Sequence, residues 1–571
     1  MKKRFVKISL FACFCALLVI LNNNFVQAQS SDSKIKDLHK DVTSENSQSI
    51  NAENWADSVI ATLSIRERAA QLFVPRLDIT NNVKGFNALE NIVVKEKMGG
   101  FLLGKGTIQS YADLINYGQE KSEIPLMITL DGEWGLSMRV SGTPRFPYNV
   151  ALGAGASEML LYEYGKEMAR ECKLMGIQVN FAPDIDVNSN PNNPVIGYRS
   201  FGENPELVGK LGAAYCRGMW DGGVMPVGKH FPGHGDTSTD SHKTLPVINH
   251  SRDRLNKVDL RPFEIAIKEG MPGIMVGHLK VPALDASGTP SSLSKKITTD
   301  LLQDSIGFRG LIFTDALAMK GATRVNENNC VSALLAGADV LLGSASPVAD
   351  LNAVEAAIKS GKISTELLNS RCKKVLVYKY LLGLNDKPSR INANGMSINL
   401  YTSSVDRLIT EMSRKTITLL KDQNSQLPLS KDKKIVVVSL GAPGANEFSD
   451  LCREFGRADR YGKLSPAVMA EVKKADVVIV GVFNNSNESK TALKTLAEIN
   501  PSTIGVFFMN PYRVPKFSAI SSLSSVILAY DDIPQLRKAA AEAIFGGIAI
   551  VGKLPINLPG VGEVGDGIVI K

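Results

Sequence analysis

Residues 311–315 read Leu311-Ile312-Phe313-Thr314-Asp315, a short apolar run that ends directly on a carboxylate. Such a run reads as a strand buried on both faces. The same form recurs along the chain. The strand candidates are Leu72–Leu77, Gly100–Leu103, Leu126–Leu130, Gln178–Pro183, Met225–His230, Ile274–His278, Leu311–Thr314 and Val340–Leu342, eight in all. Between them lie stretches with helical periodicity, such as Glu158–Met175, Pro205–Asp221 and Pro262–Glu269. Eight strand–helix units in one run predict an α/β fold of the (β/α)8, TIM-type barrel class. An open doubly wound sheet is the alternative, and the count of eight favours the barrel.

Barrels of this kind place their chemistry at the C-terminal ends of the strands. Polar residues stand at those places here. Asp131 follows the third strand, and Asp184 and Asp186 the fourth. Lys229 and His230 close the fifth, His278 the sixth, and Asp315 the seventh. Asp315 has two readings. It caps the next helix, or it is a nucleophilic carboxylate; the other polar residues predicted on that face favour the second.

The segment Lys229–His242 holds three of the six histidines, one lysine and two aspartates. Pro232, Gly233 and Gly235 make it irregular. Its spacings match no common zinc pattern, and no i,i+4 histidine pair is present. A solvated structural loop is a further reading. Asp240-Ser-His242 instead places a carboxylate two residues from an imidazole. In an extended loop both face the same way, which suits a proton-transfer pair.

The whole chain frames these motifs. Its 571 residues exceed what one core holds, and 44% apolar with 21% charged content is ordinary for a soluble globular protein. The formal charge of +8 includes four basic residues and no acid in 1–28, so the remainder carries +4 and argues against nucleic acid as a partner. Residues 1–28 read as a signal peptide: Lys2-Lys3-Arg4, an apolar run from Ile8 to Leu21, and the small-residue pattern Val26-Gln27-Ala28. That run is shorter than the roughly 20 residues of a membrane span. Export to the periplasm or medium is the expectation. Residues 29–54 read as a flexible lead-in, 55–385 as the barrel, 386–432 as a linker with helical character, and 433–571 as a second α/β sandwich domain. In the last, Lys434–Ser439, Asp476–Gly481, Thr503–Phe508 and Ser525–Ala529 read as buried parallel strands. Gly441-Ala-Pro-Gly444 is not a dinucleotide-binding fingerprint. The cysteines beyond the leader are odd in number and widely spaced, and read as scattered buried thiols.

Lys229-His-Phe-Pro-Gly-His-Gly-Asp, Asp240-Ser-His242 and Thr-Asp315-Ala-Leu-x-Met together resemble family 3 glycoside hydrolases of the β-N-acetylglucosaminidase branch. Asp131-Gly-Glu-Trp-Gly-Leu-Ser-Met-Arg139, Phe181–Asn188 and Asn193–Phe201 extend the likeness, which covers about 60–385. The resemblance implies a retaining exo-β-N-acetylglucosaminidase acting on GlcNAc-containing cell-wall or chitin-type glycans, with no cofactor and no metal. Asp315 is then the nucleophile, His242 the general acid/base and Asp240 its partner. Asp131, Arg139, Arg199, Lys229 and His230 hold the sugar. Trp134-Gly stands where the family commonly has Gly-Gly, which puts the pocket's shape in question. A β-glucosidase or xylosidase of the same family, a GlcNAc phosphorylase and a non-catalytic glycan-binding protein are the competing readings.

Overall fold

Short strands buried at every position build the first domain. Gly100–Leu103, Met127–Leu130, Gly273–Val276 and Leu311–Thr314 have no exposed residue. One face of each looks into a barrel and the other against helices, so no polar alternation survives. The computed structural model describes residues 47–79, 82–239, 244–322, 327–456 and 458–571. The predicted signal peptide lies outside the described residues, and so do Asp240 and His242.

Seven strands pair in parallel and in chain order: Arg76–Leu77, Gly100–Leu103, Met127–Leu130, Val179–Asn180, Met225–Phe231, Gly273–Val276 and Leu311–Thr314. The eighth closes the ring. Val340 bridges Phe313, and Leu341–Leu342 pairs with Phe73–Val74. The first strand is therefore split at Pro75. Its early half pairs with the last strand and its later half with the second. Proline has no N–H, and it falls where the strand changes partner. The predicted barrel is the observed one, with strand ends trimmed by a few residues.

The surrounding helices are capped as their sequences predict. Ser157 accepts from the Leu160 N–H ahead of Glu158–Leu174. Asn204 accepts from Glu206 and Leu207 at the start of Pro205–Asp221. These two helices touch through glycine. A Cβ on Gly165 would stand 2.2 Å from the Tyr215 carbonyl, and one on Gly218 would stand 2.0 Å from the Tyr162 carbonyl.

Two predicted boundaries need correction. A helix, Ser47–Thr62, begins inside the segment read as flexible. Its fully buried positions are Ala52 and Ala56, too small to print a strong apolar pattern. The helical character read in 386–432 is the helix Ser403–Thr416, but the segment also holds the strand Thr418–Asp422. That strand is the antiparallel edge of the second domain's sheet, whose order continues through Ser525–Leu528, Thr503–Phe507, Val477–Val482, Ile435–Leu440 and Asp459–Tyr461. The four predicted strands are present and parallel. The two edges were missed because both are only partly buried. All five described cysteines are buried and free, as expected. Among the described residues no helix is long and apolar enough to cross a membrane.

The domains meet along the helix Asn149–Gly155. Val150, Ala151 and Ala154 share an apolar cluster with Leu554, Ile556 and Leu558. Arg145 pairs with Asp531 at 2.8 Å, and Asn188 donates to the Tyr512 hydroxyl at 2.6 Å. Gly155 sets the approach, since a Cβ there would stand 1.9 Å from the Lys415 carbonyl. Gly155→Ala is expected to destabilise the protein by about 1–3 kcal/mol through overpacking. Urea unfolding measures this, and an unchanged midpoint contradicts the close approach.

Candidate active site

The strand ends converge on a cavity of about 580 Å³. Asp131, Arg139, Arg199, Lys229, His230 and Asp315 all line it. The other two residues singled out from sequence, Asp240 and His242, are outside the described residues.

A buried charge network forms the floor. Glu133 is its centre. Arg199 donates to both Glu133 oxygens at 2.8 Å, in the bidentate geometry that guanidinium and carboxylate share. Lys229 Nζ lies 2.8 Å from Glu133 and 3.1 Å from Asp131. Arg139 holds the other Asp131 oxygen at 2.9 Å. Burial opposes ionisation of Asp131, but Lys229 and Arg139 outweigh it and hold the carboxyl at about 2. Burial also opposes the charge on Glu133, and Arg199 and Lys229 again prevail, keeping it well below the usual range. Burial lowers Lys229, yet Glu133 and Asp131 more than restore it. All three groups are charged at neutral pH.

A second layer lies beside this floor. Asp186 accepts the main-chain N–H of His230 at 3.2 Å and of His234 at 2.6 Å, and the His230 Nδ1 at 2.8 Å. Asp184 stands 3.5 Å from Arg199. Burial, then Asp186, pushes the Asp184 carboxyl up. Burial, then Arg199, brings His230 down to about 4, and burial, then His230, does the same to His234. Both rings are therefore neutral at pH 7. Asp184, Asp186 and His230 bring potential ligand atoms within 4.8 Å of one another. Arg199 and the two main-chain N–H groups already supply positive charge and donors there.

Asp315 ends its strand with its N–H on the Val276 carbonyl, 2.9 Å away, and its Oδ1 accepts from the Ala316 N–H at 2.7 Å. No α-helix starts there; among the described residues the next is Asn329–Ala336, capped by Asn328. The helix-cap reading of Asp315 therefore fails. Burial opposes its ionisation, but His278, the Ala316 N–H and Lys229 hold it below the usual carboxylate range. The His278 ring is set between Ser292 Oγ at 2.6 Å and the Ala316 carbonyl at 3.0 Å.

The loop after the fifth strand is pinned before residue 240. His234 Nδ1 meets Thr237 Oγ1 at 2.8 Å, and Asp236 pairs with His250. Gly233 has φ +126°, and a Cβ there would meet the Asp259 Cβ at 2.8 Å. His234 and Asp236 thus shape the loop.

Sequence reasoning gave Glu133 no role. Its spacing of two from Asp131 carried a signal, since both turn to one side of an extended segment. Trp134 lines the cavity and packs edge-on against Tyr148 at 5.0 Å. Trp134 therefore gives the pocket an aromatic wall.

This barrel, with its ionised strand-end carboxylate in a polar cavity, belongs to glycosyl hydrolase family 3: residues 64–377 match the family's N-terminal domain. The chain is 34% identical over 388 residues to Beta-hexosaminidase A of Pseudoalteromonas piscicida. That stretch takes in 61% of this chain and 63% of that protein, so the chain spans less than two thirds of that relative's length. It is 24% identical over 547 residues to a Beta-N-acetylglucosaminidase/beta-glucosidase of Cellulomonas fimi, covering 88% of this chain and 95% of the relative. The structure of a family 3 beta-N-acetylglucosaminidase from Paenibacillus sp. str. FPU-7 superposes with a TM-score of 0.74 at 28% identity, covering 87% of this chain and 99% of that one.

Removing Glu133 leaves Lys229 and Arg199 buried without their main partner. Glu133→Ala is expected to cost about 3–5 kcal/mol of stability in chemical denaturation; a loss under about 1 kcal/mol contradicts the hub. Asp131 has a depressed pKa in the folded state. Its contribution is present above the ordinary carboxylate range and is lost as pH falls towards about 2. Asp131→Asn is therefore expected to flatten the loss of stability between about pH 4 and pH 2, and an unchanged acid-unfolding profile contradicts this.

Proposed function

We infer that the protein is a retaining exo-β-N-acetylglucosaminidase that removes terminal β-GlcNAc from cell-wall or chitin-type glycans. The observation that carries this reading is the ionised Asp315 in a cavity ringed by Asp131, Arg139, Arg199 and Lys229. An ionised carboxylate is the form needed to attack an anomeric carbon. Asp131 accepts from Lys229 and Arg139 on separate oxygens and keeps lone pairs for sugar hydroxyls. The names of the Pseudoalteromonas and Paenibacillus relatives support a hexosamine substrate, and that of the Cellulomonas fimi relative joins GlcNAc with glucose.

In this mechanism Asp315 displaces the leaving group and forms a glycosyl-enzyme. His242, partnered by Asp240, protonates the departing oxygen and then takes a proton from the incoming water. An imidazole in this role avoids the repulsion that a second carboxylate would feel beside Asp315. The leader pattern at 1–28 supports export, which would bring the enzyme to wall glycans.

Purified enzyme is expected to release 4-nitrophenol from the β-GlcNAc glycoside far faster than from the β-glucoside, at a rate that does not depend on inorganic phosphate. Preference for the glucoside, a requirement for phosphate, or tight binding without release each overturns the reading in favour of a named rival. The role split has its own test. His242→Ala should lose much less rate on an activated aryl glycoside than on a GlcNAc disaccharide, because the aryl oxygen needs little protonation. Asp315→Ala should lose both. Equal losses in both variants on both substrates refute the assignment.

A further inference from the structure

Arg199 is carried by the loop 188–203, which also brings Val195 and Tyr198 to the cavity wall. Among the described residues, no side chain of the second domain lines that cavity. The second domain nevertheless grips this loop at both ends. At its start, Asn188 is fully buried and donates to the Tyr512 hydroxyl at 2.6 Å. The Asn188 side-chain oxygen accepts from the Gly197 N–H at 3.0 Å, two residues before Arg199. At its finish, the Glu203 N–H donates to the Pro555 carbonyl at 2.9 Å. The Glu203 carboxylate accepts the Asn557 N–H at 2.9 Å and the Asn557 side-chain amide as well. Gly202 permits this approach. It has φ +146°, and a Cβ there would stand 2.4 Å from the Pro555 carbonyl.

The loop needs such external ties. Its one regular piece is the single turn Gly197–Arg199. A chain with so little internal hydrogen bonding does not hold a long side chain in one place unless other segments order it. The tie nearest Arg199 also leads to the second domain. Asn149 donates to the Arg199 carbonyl at 2.6 Å, from the helix that packs on Leu554 and Ile556. The demand on placement is strict, because Arg199 meets Glu133 in a two-bond fork that fixes both distance and plane.

We propose that Tyr512 and Asn557 of the second domain are positioning residues that clamp the loop 188–203 and thereby set Arg199 at the cavity floor. The second domain then acts on the reaction through Arg199. The proposal deepens the glycosidase reading above and rests on it. The competing account is that these contacts only stabilise the seam between domains.

The test sets the clamp against a matched hydroxyl deletion in the same domain. Tyr512→Phe leaves the buried Asn188 amide without this acceptor. Thr503→Val removes a buried hydroxyl that donates to the Asn500 carbonyl at 2.5 Å, at the far end of the strand leading to Tyr512. All variants are measured well below their melting points, by kcat/KM on the 4-nitrophenyl β-GlcNAc glycoside and by hydrogen–deuterium exchange of residues 193–200. Tyr512→Phe is expected to lose at least about fivefold in kcat/KM and to speed that exchange at least about tenfold, with the barrel strands unchanged. Asn557→Ala is expected to move both readouts the same way, and Thr503→Val to stay within about twofold of wild type in both. On an Arg199→Lys background, Tyr512→Phe is expected to cost less than about twofold more, because its effect runs through Arg199. A full multiplicative loss on that background, an equal loss in Thr503→Val, or no loss in either clamp variant overturns the positioning role and assigns the contacts to the seam. Unchanged exchange in both clamp variants overturns the clamp itself. Should Tyr512→Phe not fold, Asn557→Ala, at an exposed residue, decides by the same readouts. Wild-type protein that does not cleave the glycoside overturns the glycosidase reading and the positioning role with it; active wild type with unmoved clamp variants overturns the clamp alone.

Discussion

The pairing of Glu133 with Arg199 and Lys229 is the constraint on which the site depends. It joins three separate pieces of chain: the segment after the third strand, the loop after the fourth, and the fifth strand itself. Arg199 and Lys229 are long side chains with many rotamers. Fixing both on one carboxylate removes that freedom before a ligand arrives. Lys229, together with Arg139, in turn keeps Asp131 ionised despite its burial. Without Glu133, Lys229 would keep Asp131 as its partner, and Arg199 only Asp184 at 3.5 Å. The hub is thus a condition for the cavity, and the barrel is what brings its parts within reach.

How much of this was legible in the sequence depends on what each residue's signal was. The barrel strands were legible because a strand buried on both faces prints as an unbroken apolar run, as at Leu311–Thr314. Asp131, Lys229 and Asp315 were legible because they interrupt such runs at one fixed end. Glu133 carried a weaker signal. It lies past the strand, in a segment whose course is set by Gly132 donating to Asn180 at 2.8 Å, a contact from 48 residues away. Spacing alone does not reveal such a partner. Arg199 was legible only through the family motif, since nothing local to Tyr198-Arg199-Ser200 points to Glu133.

The misread boundaries have the same physical origin. Thr418–Asp422 pairs on one side only and exposes part of its length, so its sequence lacks the apolar density of the central strands. The helix Ser47–Thr62 buries alanines, and small buried residues leave a faint periodicity. Elements are read most readily where burial is deep and side chains are large. The second domain's central strands meet that condition, and its edges do not.

The electrostatic balance of the cavity bears on the proposed chemistry. Arg139, Arg199 and Lys229 face Asp131, Glu133, Asp315 and the Asp184–Asp186 pair. Burial raises both members of that pair, so they resist carrying two charges together. Arg76 also lines the cavity, so with one charge left on the pair carboxylates and cations balance, and the neutral rings of His230 and His234 add to neither side. An ionised Asp315, already oriented, suits a transition state in which the sugar becomes cationic. Were His230 protonated, the cavity would carry an excess of positive charge. The burial that keeps its ring neutral is therefore part of the same design as the hub: one side of the cavity concentrates charge, and the other withholds it.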